Sequence, residues 1–419
     1  MTGRGLIASS LALVLVASAA IAASPPRRDA RVWSAAQQAR TGQLALLEKA
    51  VNIDSGTGDV DGGAKVIALL RPELEALGMT VRTEKAEAEG LADNVVATLK
   101  GTGKGRILMI GHLDTVFEVG AAAKRPYRTD AARAYGPGVG DEKGGVIEAI
   151  YALKILRDLG FTNYAQITLL IESSEERGSP GTRKLIDQLL KDADVELNLE
   201  PGDPPDLITV WRKGSATYFI DVKGRPAHAG VAPQDGRNAA TELLHQLEGA
   251  EGFPKTGDQL TVNLTILNAG SRVNIIPEDA SAGLNARGRT KAQLQSVEDK
   301  LNENAKITAV PDTKVTIRQL AAFPPLADNP DTAALAERAK AIYAGIGMTL
   351  GAGGNGGASE SALAYEAGVP AIDGLGPVGG KFHSEEEYIE LGSVTPRLYL
   401  LTKLIMELGP NPPKPASVR

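Results

Sequence analysis

Up to about residue 212, the spacing of apolar and polar positions switches repeatedly between the period of a helix and that of a strand. The predicted elements are helices at 32–53 and 62–77, strands at 80–84, 94–99 and 107–110, a helix at 144–158, a strand at 166–172, a helix at 179–191 and a strand at 195–199. This alternation is typical of an α/β protein with a mostly parallel sheet.

The order of the predicted elements changes between residues 213 and 322. This stretch predicts a strand at 216–222, a helix at 238–247, strands at 260–268 and 280–286, a helix at 291–305 and a strand at 313–320. The order βαββαβ is that of a ferredoxin-like domain. Helical spacing resumes further along, at 331–345, 359–367 and 392–408. We therefore expect residues 23–212 and 323–419 to form one domain, into which 213–322 is inserted.

The first 22 residues have the pattern of a cleavable signal peptide. Arg4 supplies a positive charge, residues 6–19 are apolar, and Ala20-Ile21-Ala22 provides small residues at a cleavage site. We therefore expect an exported, periplasmic protein without stable membrane insertion after processing.

The charge and the cysteine content of the chain limit which partners and which metal ligands are possible. The net charge of −6 and the pI of about 5.5 argue against a nucleic-acid partner and favour a small-molecule substrate. The chain has no cysteine, so disulfides and thiolate ligands are excluded and any metal ligands must be His, Asp or Glu. Only four histidines are available.

Candidate metal ligands stand at the ends of predicted strands. His112 and Asp114 follow the strand at 107–110 and, two residues apart in extended chain, point to the same side. A carboxylate there can accept the second imidazole N–H and leave the other nitrogen free for a metal. Asp141 follows a glycine-rich loop directly before the predicted helix at 144–158. A hydrogen-bonded turn and a helix N-cap are the alternative interpretations.

Two adjacent glutamates, Glu175 and Glu176, follow the strand at 166–172. Like charges side by side repel, so a buried pair is stabilised by a cation, whereas a solvated surface pair is the alternative interpretation. Glu200 ends the strand at 195–199, and His383 comes late in the chain after a glycine-rich loop.

The carboxyl ends of parallel strands meet at one edge of a sheet. Two histidines and three carboxylate positions at such an edge supply ligands for two divalent ions. Two ions that share a carboxylate lie about 3.5–4 Å apart and activate a bridging water. One glutamate of the adjacent pair is then a ligand, while the other is free to act as general base.

The ordered motifs His-x-Asp, Gly-x-Gly-x-x-Asp-x-Lys-Gly-Gly, Glu-Glu, Glu-Pro and His resemble those of the M20 family of di-zinc metallopeptidases, and within it the glutamate carboxypeptidase (carboxypeptidase G) branch. The resemblance extends over essentially the whole mature chain and implies two Zn²⁺ ions, although Mn²⁺ or Co²⁺ suits the same ligands. The implied ligands are His112, Asp141 and Glu200 for one ion and Asp141, Glu176 and His383 for the other. Glu175 is the implied general base, and Asp114 the residue that orients His112.

The resemblance also implies that the inserted domain forms a homodimer and part of the substrate site. His228, in Gly-Arg-Pro-Ala-His-Ala-Gly, matches a histidine that reaches the other subunit's active site to polarise the scissile carbonyl. Asn274 and Arg287 match positions that bind the terminal carboxylate of the substrate, a task that suits the guanidinium fork. A structural histidine and a surface ion pair are the alternatives for His228 and Arg287.

Two positions depart from the family pattern. The usual Gly-Gly-Thr/Ser-Asp loop ends here in Glu360, and Asn285 replaces the Asp of Asp-x-Arg. Neither is an implied metal ligand, so the departures concern the substrate.

We expect a zinc-dependent exopeptidase that hydrolyses the amide bond to a C-terminal amino acid, through a metal-bridging hydroxide with Glu175 as general base. An N-acyl-amino-acid deacylase or a dipeptidase with the same metal site is an alternative. A non-catalytic periplasmic small-molecule binding protein is the alternative from another class.

Overall fold

The computed structural model describes residues 27–320 and 323–414, so the predicted signal peptide at 1–22 lies outside the described residues. The helices are α1 (Ala30–Val51), α2 (Val60–Glu75), α3 (Ala121–Lys124), α4 (Lys143–Asp158), α5 (Arg183–Leu190), α6 (Ala239–Ala250), α7 (Lys291–Asn304), α8 (Pro330–Gly345), α9 (Ser361–Glu366) and α10 (Val394–Leu408). Within the described ranges, no helix combines the length and hydropathy that a membrane crossing requires.

The strands are β1 (Thr80–Glu84), β2 (Asn94–Lys100), β3 (Arg106–His112), β4 (Arg128–Thr129), β5 (Arg133–Tyr135), β6 (Gln166–Glu172), β7 (Val195–Asn198), β8 (Leu207–Arg212), β9 (Gly214–Lys223), β10 (Thr261–Ala269), β11 (Asp279–Gly288), β12 (Lys314–Gln319), β13 (Gly351–Asn355), β14 (Ala371–Ile372), β15 (Gly379–Gly380) and β16 (Tyr388–Glu390).

A six-stranded sheet in the order β1-β2-β6-β3-β7-β14 forms the centre of the larger layer structure. Strands β6, β3, β7 and β14 are parallel, and β1 and β2 add an antiparallel edge. Along β3 the side chains alternate between two cores, with Ile107 and Met109 in the core that includes α1, α4 and α10, and Leu108 and Ile110 in the core with α5 and α9. The mostly parallel α/β fold predicted from the sequence is confirmed.

A separate four-stranded antiparallel sheet has the order β10-β11-β9-β12, and α6 and α7 pack against one of its faces. Its buried side chains, among them Tyr218, Leu243 and Val297, form a hydrophobic cluster of their own. The predicted βαββαβ order and the ferredoxin-like character of this unit are therefore observed. The boundaries at residues 213 and 322 stay a prediction.

The sequence did not predict the parallel pair of β8 and β13, because the glycine-rich run 351–357 has no strand-like side chains. The Trp211 indole explains the glycine at position 354, since a methyl group there would lie 1.5 Å from an indole carbon. The predicted helix at 179–191 begins only at Arg183, and a single 3₁₀ turn, Glu175–Arg177, precedes it. Short strands β15, β16, β5 and β4 form a further small sheet.

A close approach between α4 and the end of β7 decides where the metal-ligand candidates lie. A Cβ atom on Gly145 would lie 1.9 Å from the main-chain oxygen of Leu199, so only glycine allows this helix start to contact the strand end. Asp141 stands just before α4, and Glu200 directly follows Leu199. The Gly-Gly pair after Asp141 thus brings two distant acids together.

We expect Gly145→Ala to lower the free energy of unfolding by about 1–3 kcal/mol, because the new methyl group forces the helix away from the strand end. Gly392→Ala is the matched control, since nothing lies within 4 Å of a Cβ at that position. Chemical denaturation of both variants measures the effect. Equal stabilities would contradict the close-packing argument.

Candidate metal centre

Three strand ends and two loops bring the candidate ligands to one edge of the six-stranded sheet. His112 is the last residue of β3, Glu176 follows β6, and Glu200 follows β7, as expected for carboxyl ends of parallel strands. Asp141 comes from the loop before α4, and His383 from the loop after β15. His383 has a left-handed backbone with φ of 62°, which is rare for a residue with a side chain and marks a locally constrained loop.

The ligand atoms form two groups that share Asp141. His112, Asp141 and Glu200 make one group and Asp141, Glu176 and His383 the other, with the ligand atoms of each within 4.8 Å of one another. Asp141 Oδ1 lies 3.1 Å from His112 Nε2, and Oδ2 lies 3.1 Å from His383 Nε2. Each carboxylate oxygen therefore faces one imidazole, an arrangement that suits two neighbouring cations.

The electrostatics of the acids favour a bound cation. Burial, opposed by Arg212, raises the pKa of Glu200 to about 7. Burial also raises the pKa of Glu176, whereas hydrogen bonds from His112 and His383 more than offset burial and hold the pKa of Asp141 well below its usual range. Several carboxylates so close together cost free energy unless positive charge lies between them. His and carboxylate donors in this arrangement fit two divalent ions of the zinc, manganese or cobalt type.

His112 is fully buried and its ring is held by Asp114. Nδ1 lies 2.9 Å from the main-chain oxygen of Asp114 and 3.5 Å from its carboxylate, so the main-chain oxygen is the nearer acceptor. This contact favours a proton on Nδ1 and leaves Nε2 facing the ligand group. The residue pair predicted from the sequence is thus in place, although the carboxylate is not the closer partner.

The Asp114 carboxylate instead holds the turn that contains the two glutamates. It accepts the main-chain N–H groups of Glu175 and Glu176 at 3.1 and 3.3 Å, and the hydroxyl of Thr57 at 2.6 Å. Glu176 contacts His383 Nε2 at 3.1 Å, while Glu175 is half-buried beside the ligands. Burial and the carboxylate of Glu360 raise the pKa of Glu175 well above its ordinary value, which increases its affinity for a proton.

A cavity of about 580 Å³ opens over the centre between the two sheets. Its walls include the ligands Asp141, Glu176 and Glu200 and, from the smaller sheet, Asn285 and Arg287. Arg287 Nε donates to Asn285 Oδ1 at 3.1 Å, and burial lowers the pKa of the guanidinium. Arg177 and Arg212 line the cavity as well, so both carboxylates and guanidinium groups form its walls.

His228 and Asn274 do not line this cavity. Both are exposed, and they lie together, since the N–H of Ala229 donates to the main-chain oxygen of Asn274 at 3.0 Å. His228 Nδ1 accepts the N–H groups of Gly230 and Val231 at 3.2 and 3.1 Å. Nε2 is consequently the protonated nitrogen, free to donate outward.

The sequence did not indicate Glu387, whose side chain holds the loop of Asp141 in place. The buried carboxylate of Glu387 accepts the main-chain N–H groups of Gly138, Gly140 and Asp141 at 3.0, 3.0 and 3.1 Å. The Glu387 carboxylate thereby connects the loop of Asp141 to the loop of His383. In the sequence, Glu387 is one member of a Glu-Glu-Glu run, and nothing in that run distinguishes it.

Comparisons with known proteins show the family of the chain. The model of the peptidase family M20/M25/M40 matches residues 108–407. Carboxypeptidase G2 of Pseudomonas sp. (strain RS-16) is 34% identical over 409 residues, which cover 97% of this chain and 98% of that protein.

Solved structures show the same fold at lower identity. An M20 family metallo-carboxypeptidase from Sulfolobus solfataricus has a TM-score of 0.71 at 19% identity, covering 88% of this chain and 99% of that one. A tripeptidase from Staphylococcus aureus has a TM-score of 0.72 at 20% identity, covering 88% and 98%. With the family match over most of the chain, these findings show that the chain belongs to the peptidase family M20/M25/M40 and is a hydrolase.

Proposed function

We propose that this protein is a zinc-dependent carboxypeptidase that hydrolyses the amide bond to a C-terminal amino acid in a peptide or N-acyl amino acid. The observation that supports it most is the Asp141 carboxylate, which faces one imidazole with each oxygen, in a cavity that Arg287 also lines. The 34% identity to Carboxypeptidase G2 supports the same class of activity.

His112, Asp141 and Glu200 would hold one ion and Asp141, Glu176 and His383 the other. Bound there, divalent ions supply positive charge that polarises a carbonyl and increases the acidity of water. Zinc suits the mixed imidazole and carboxylate donors, and Mn²⁺ or Co²⁺ suits them as well.

Glu175 would be the general base. Its carboxylate lines the cavity, and its turn is fixed through the main chain by Asp114. It would take a proton from the water that attacks the scissile carbonyl carbon, and then give the proton to the nitrogen of the leaving amino acid.

Arg287 would bind the free carboxylate of the departing amino acid. The guanidinium is half-buried in the cavity wall, its hydrogen-bonded neighbour Asn285 is neutral, and among the described residues Glu175 is the one carboxylate that acts on its pKa, so its positive charge suits an anionic substrate. The departure of Asn285 from the family's Asp is compatible with this role.

The smaller sheet would form a homodimer and bring His228 and Asn274 to the site of the other subunit. Strand β10 is an edge strand with Leu264, Ile266 and Leu267 exposed at its surface. His228 is exposed and its Nδ1 accepts two main-chain N–H groups, which leaves Nε2–H suited to polarise a carbonyl oxygen. We also propose, from the sequence pattern of residues 1–22, that the protein is exported to the periplasm.

We expect Glu175→Gln to lower kcat by about 10²- to 10⁴-fold while both metal ions stay bound, because the base is lost and the ligands are untouched. Steady-state kinetics on N-acyl amino acids and elemental analysis of the same preparation give the two readouts. Glu386→Gln, at an exposed position of the His383 loop, is the control and should match the wild type. Full activity in Glu175→Gln would remove the assigned base.

We expect Arg287→Ala to raise KM roughly 10- to 100-fold for substrates with a free terminal carboxylate and to have little effect on the corresponding amides. The nearby Arg289, which pairs with Asp328, provides the control variant Arg289→Ala. Equal losses on both substrate series would contradict carboxylate binding by Arg287.

Co-expression of His228→Ala and Glu175→Gln subunits tests completion of the site across a dimer. Each parent alone should be inactive. In statistically mixed dimers, half the molecules are hybrids with one complete site, so about a quarter of wild-type activity should return. No recovery in purified hybrid dimers would show that His228 does not serve the other subunit.

A further inference from the structure

Arg212, the last residue of β8, contacts the candidate ligand Glu200 and lines the cavity over the centre. Its side chain is buried, and its guanidinium forms a two-pronged pair with Asp373, with Nε 2.7 Å from Oδ2 and Nη2 2.6 Å from Oδ1. The same Nη2 donates to Glu200 Oε2 at 3.1 Å. One guanidinium therefore joins β8, the segment after β14 and the ligand.

The two oxygens of Glu200 face different partners. Oε1 lies 3.5 Å from His112 Nε2, on the side of the first ligand group, whereas Oε2 is held by Arg212. A carboxylate fixed in this way has one oxygen left to face a metal ion. The rotation of the carboxyl group is set by Arg212.

Asp373 is itself immobilised. It is fully buried, and besides the guanidinium it accepts the hydroxyl groups of Ser359 and Ser361 on Oδ2. These two serines flank Glu360, one of the positions that departs from the family pattern. The serines fix Asp373, Asp373 fixes Arg212, and Arg212 fixes Glu200.

The backbone at Arg212 is equally constrained. Its N–H donates to the main-chain oxygen of Leu326 at 3.0 Å, and the N–H of Lys213 donates to that of Asn355 at 3.1 Å. Both contacts lie where the chain passes from β8 into the smaller sheet. The guanidinium is therefore anchored by its main chain as well as by its partner carboxylate.

We propose that Arg212, held by Asp373, is a positioning residue that orients Glu200 and so sets the affinity of one metal ion of the two. The ion concerned is the one assigned to His112, Asp141 and Glu200. The second group, Asp141, Glu176 and His383, has no hydrogen bond to Arg212 and should be unaffected. The inference rests on the metal centre of the proposed function and adds a supporting pair to it.

The alternative role is purely structural, because a buried pair of Arg212 and Asp373 would also tie β8 to the central sheet. Loss of one partner of such a pair destabilises the fold as a whole. A structural pair does not discriminate between two neighbouring ions, whereas a residue that orients one ligand does. Measuring the affinity of each metal equivalent separately therefore distinguishes a structural role of Arg212 from a positioning role.

The test is a titration of the metal-free full chain with Zn²⁺ against a chromophoric chelator, repeated with Co²⁺ to follow each equivalent by its absorption spectrum. In Arg212→Lys, which retains the charge but loses the two-pronged geometry, we expect one equivalent to bind about 10- to 100-fold more weakly and the other to be unchanged. Glu200→Gln shows the effect of losing the ligand itself. Arg289→Lys is the matched control and should bind as the wild type does.

A double variant, Arg212→Gln with Asp373→Asn, removes both buried charges together and is the safeguard if the single variant fails to fold. Selective weakening of one equivalent in either variant supports the inference. Unchanged affinities, or equal weakening of both equivalents with a lower melting temperature, overturn it while the proposed function stands. A wild-type protein that binds fewer than two equivalents overturns the metal centre itself, and the inference with it.

Discussion

The shared carboxylate of Asp141 is the constraint on which the rest of the site depends. One carboxyl group faces two imidazoles 3.1 Å from its two oxygens, so its loop must lie between the segments that bear His112 and His383. The tight contact of Gly145 with the end of β7 brings Asp141 beside Glu200. The fold thus concentrates negative charge at one sheet edge, where bound cations would offset what Arg212 and the imidazoles do not.

Around this centre, most of the fixing contacts come from residues that are not ligands. Glu387 accepts three N–H groups of the Asp141 loop, and Asp114 accepts the N–H groups of the glutamate turn. Arg212 and Asp373 hold Glu200. Ligands that are oriented before an ion binds lose less freedom on binding, which is the usual benefit of such outer contacts.

The residues of the site come from two sheets, each of which has its own hydrophobic core. Acidic ligands come from the parallel sheet, while Arg287 comes from β11 of the antiparallel one. The cavity between them is lined by the acidic ligands and by guanidinium groups, Arg287 among them, which suits a substrate that has both a carbonyl group and a carboxylate. His228 and Asn274 do not line the cavity of their own chain, and the roles that we propose for them require a second subunit.

The sequence by itself determined the layer order, the ferredoxin-like insertion and the ligand candidates, because hydrophobic period and the position of acids at strand ends are local properties. It did not indicate Glu387, Arg212 or Asp373, which are ordinary charged residues until distant segments meet. It also suggested the Asp114 carboxylate as the partner of His112, although the main-chain oxygen lies nearer. Only the tertiary structure decided these contacts, because hydrogen bonds between segments far apart in sequence depend on packing and not on local pattern.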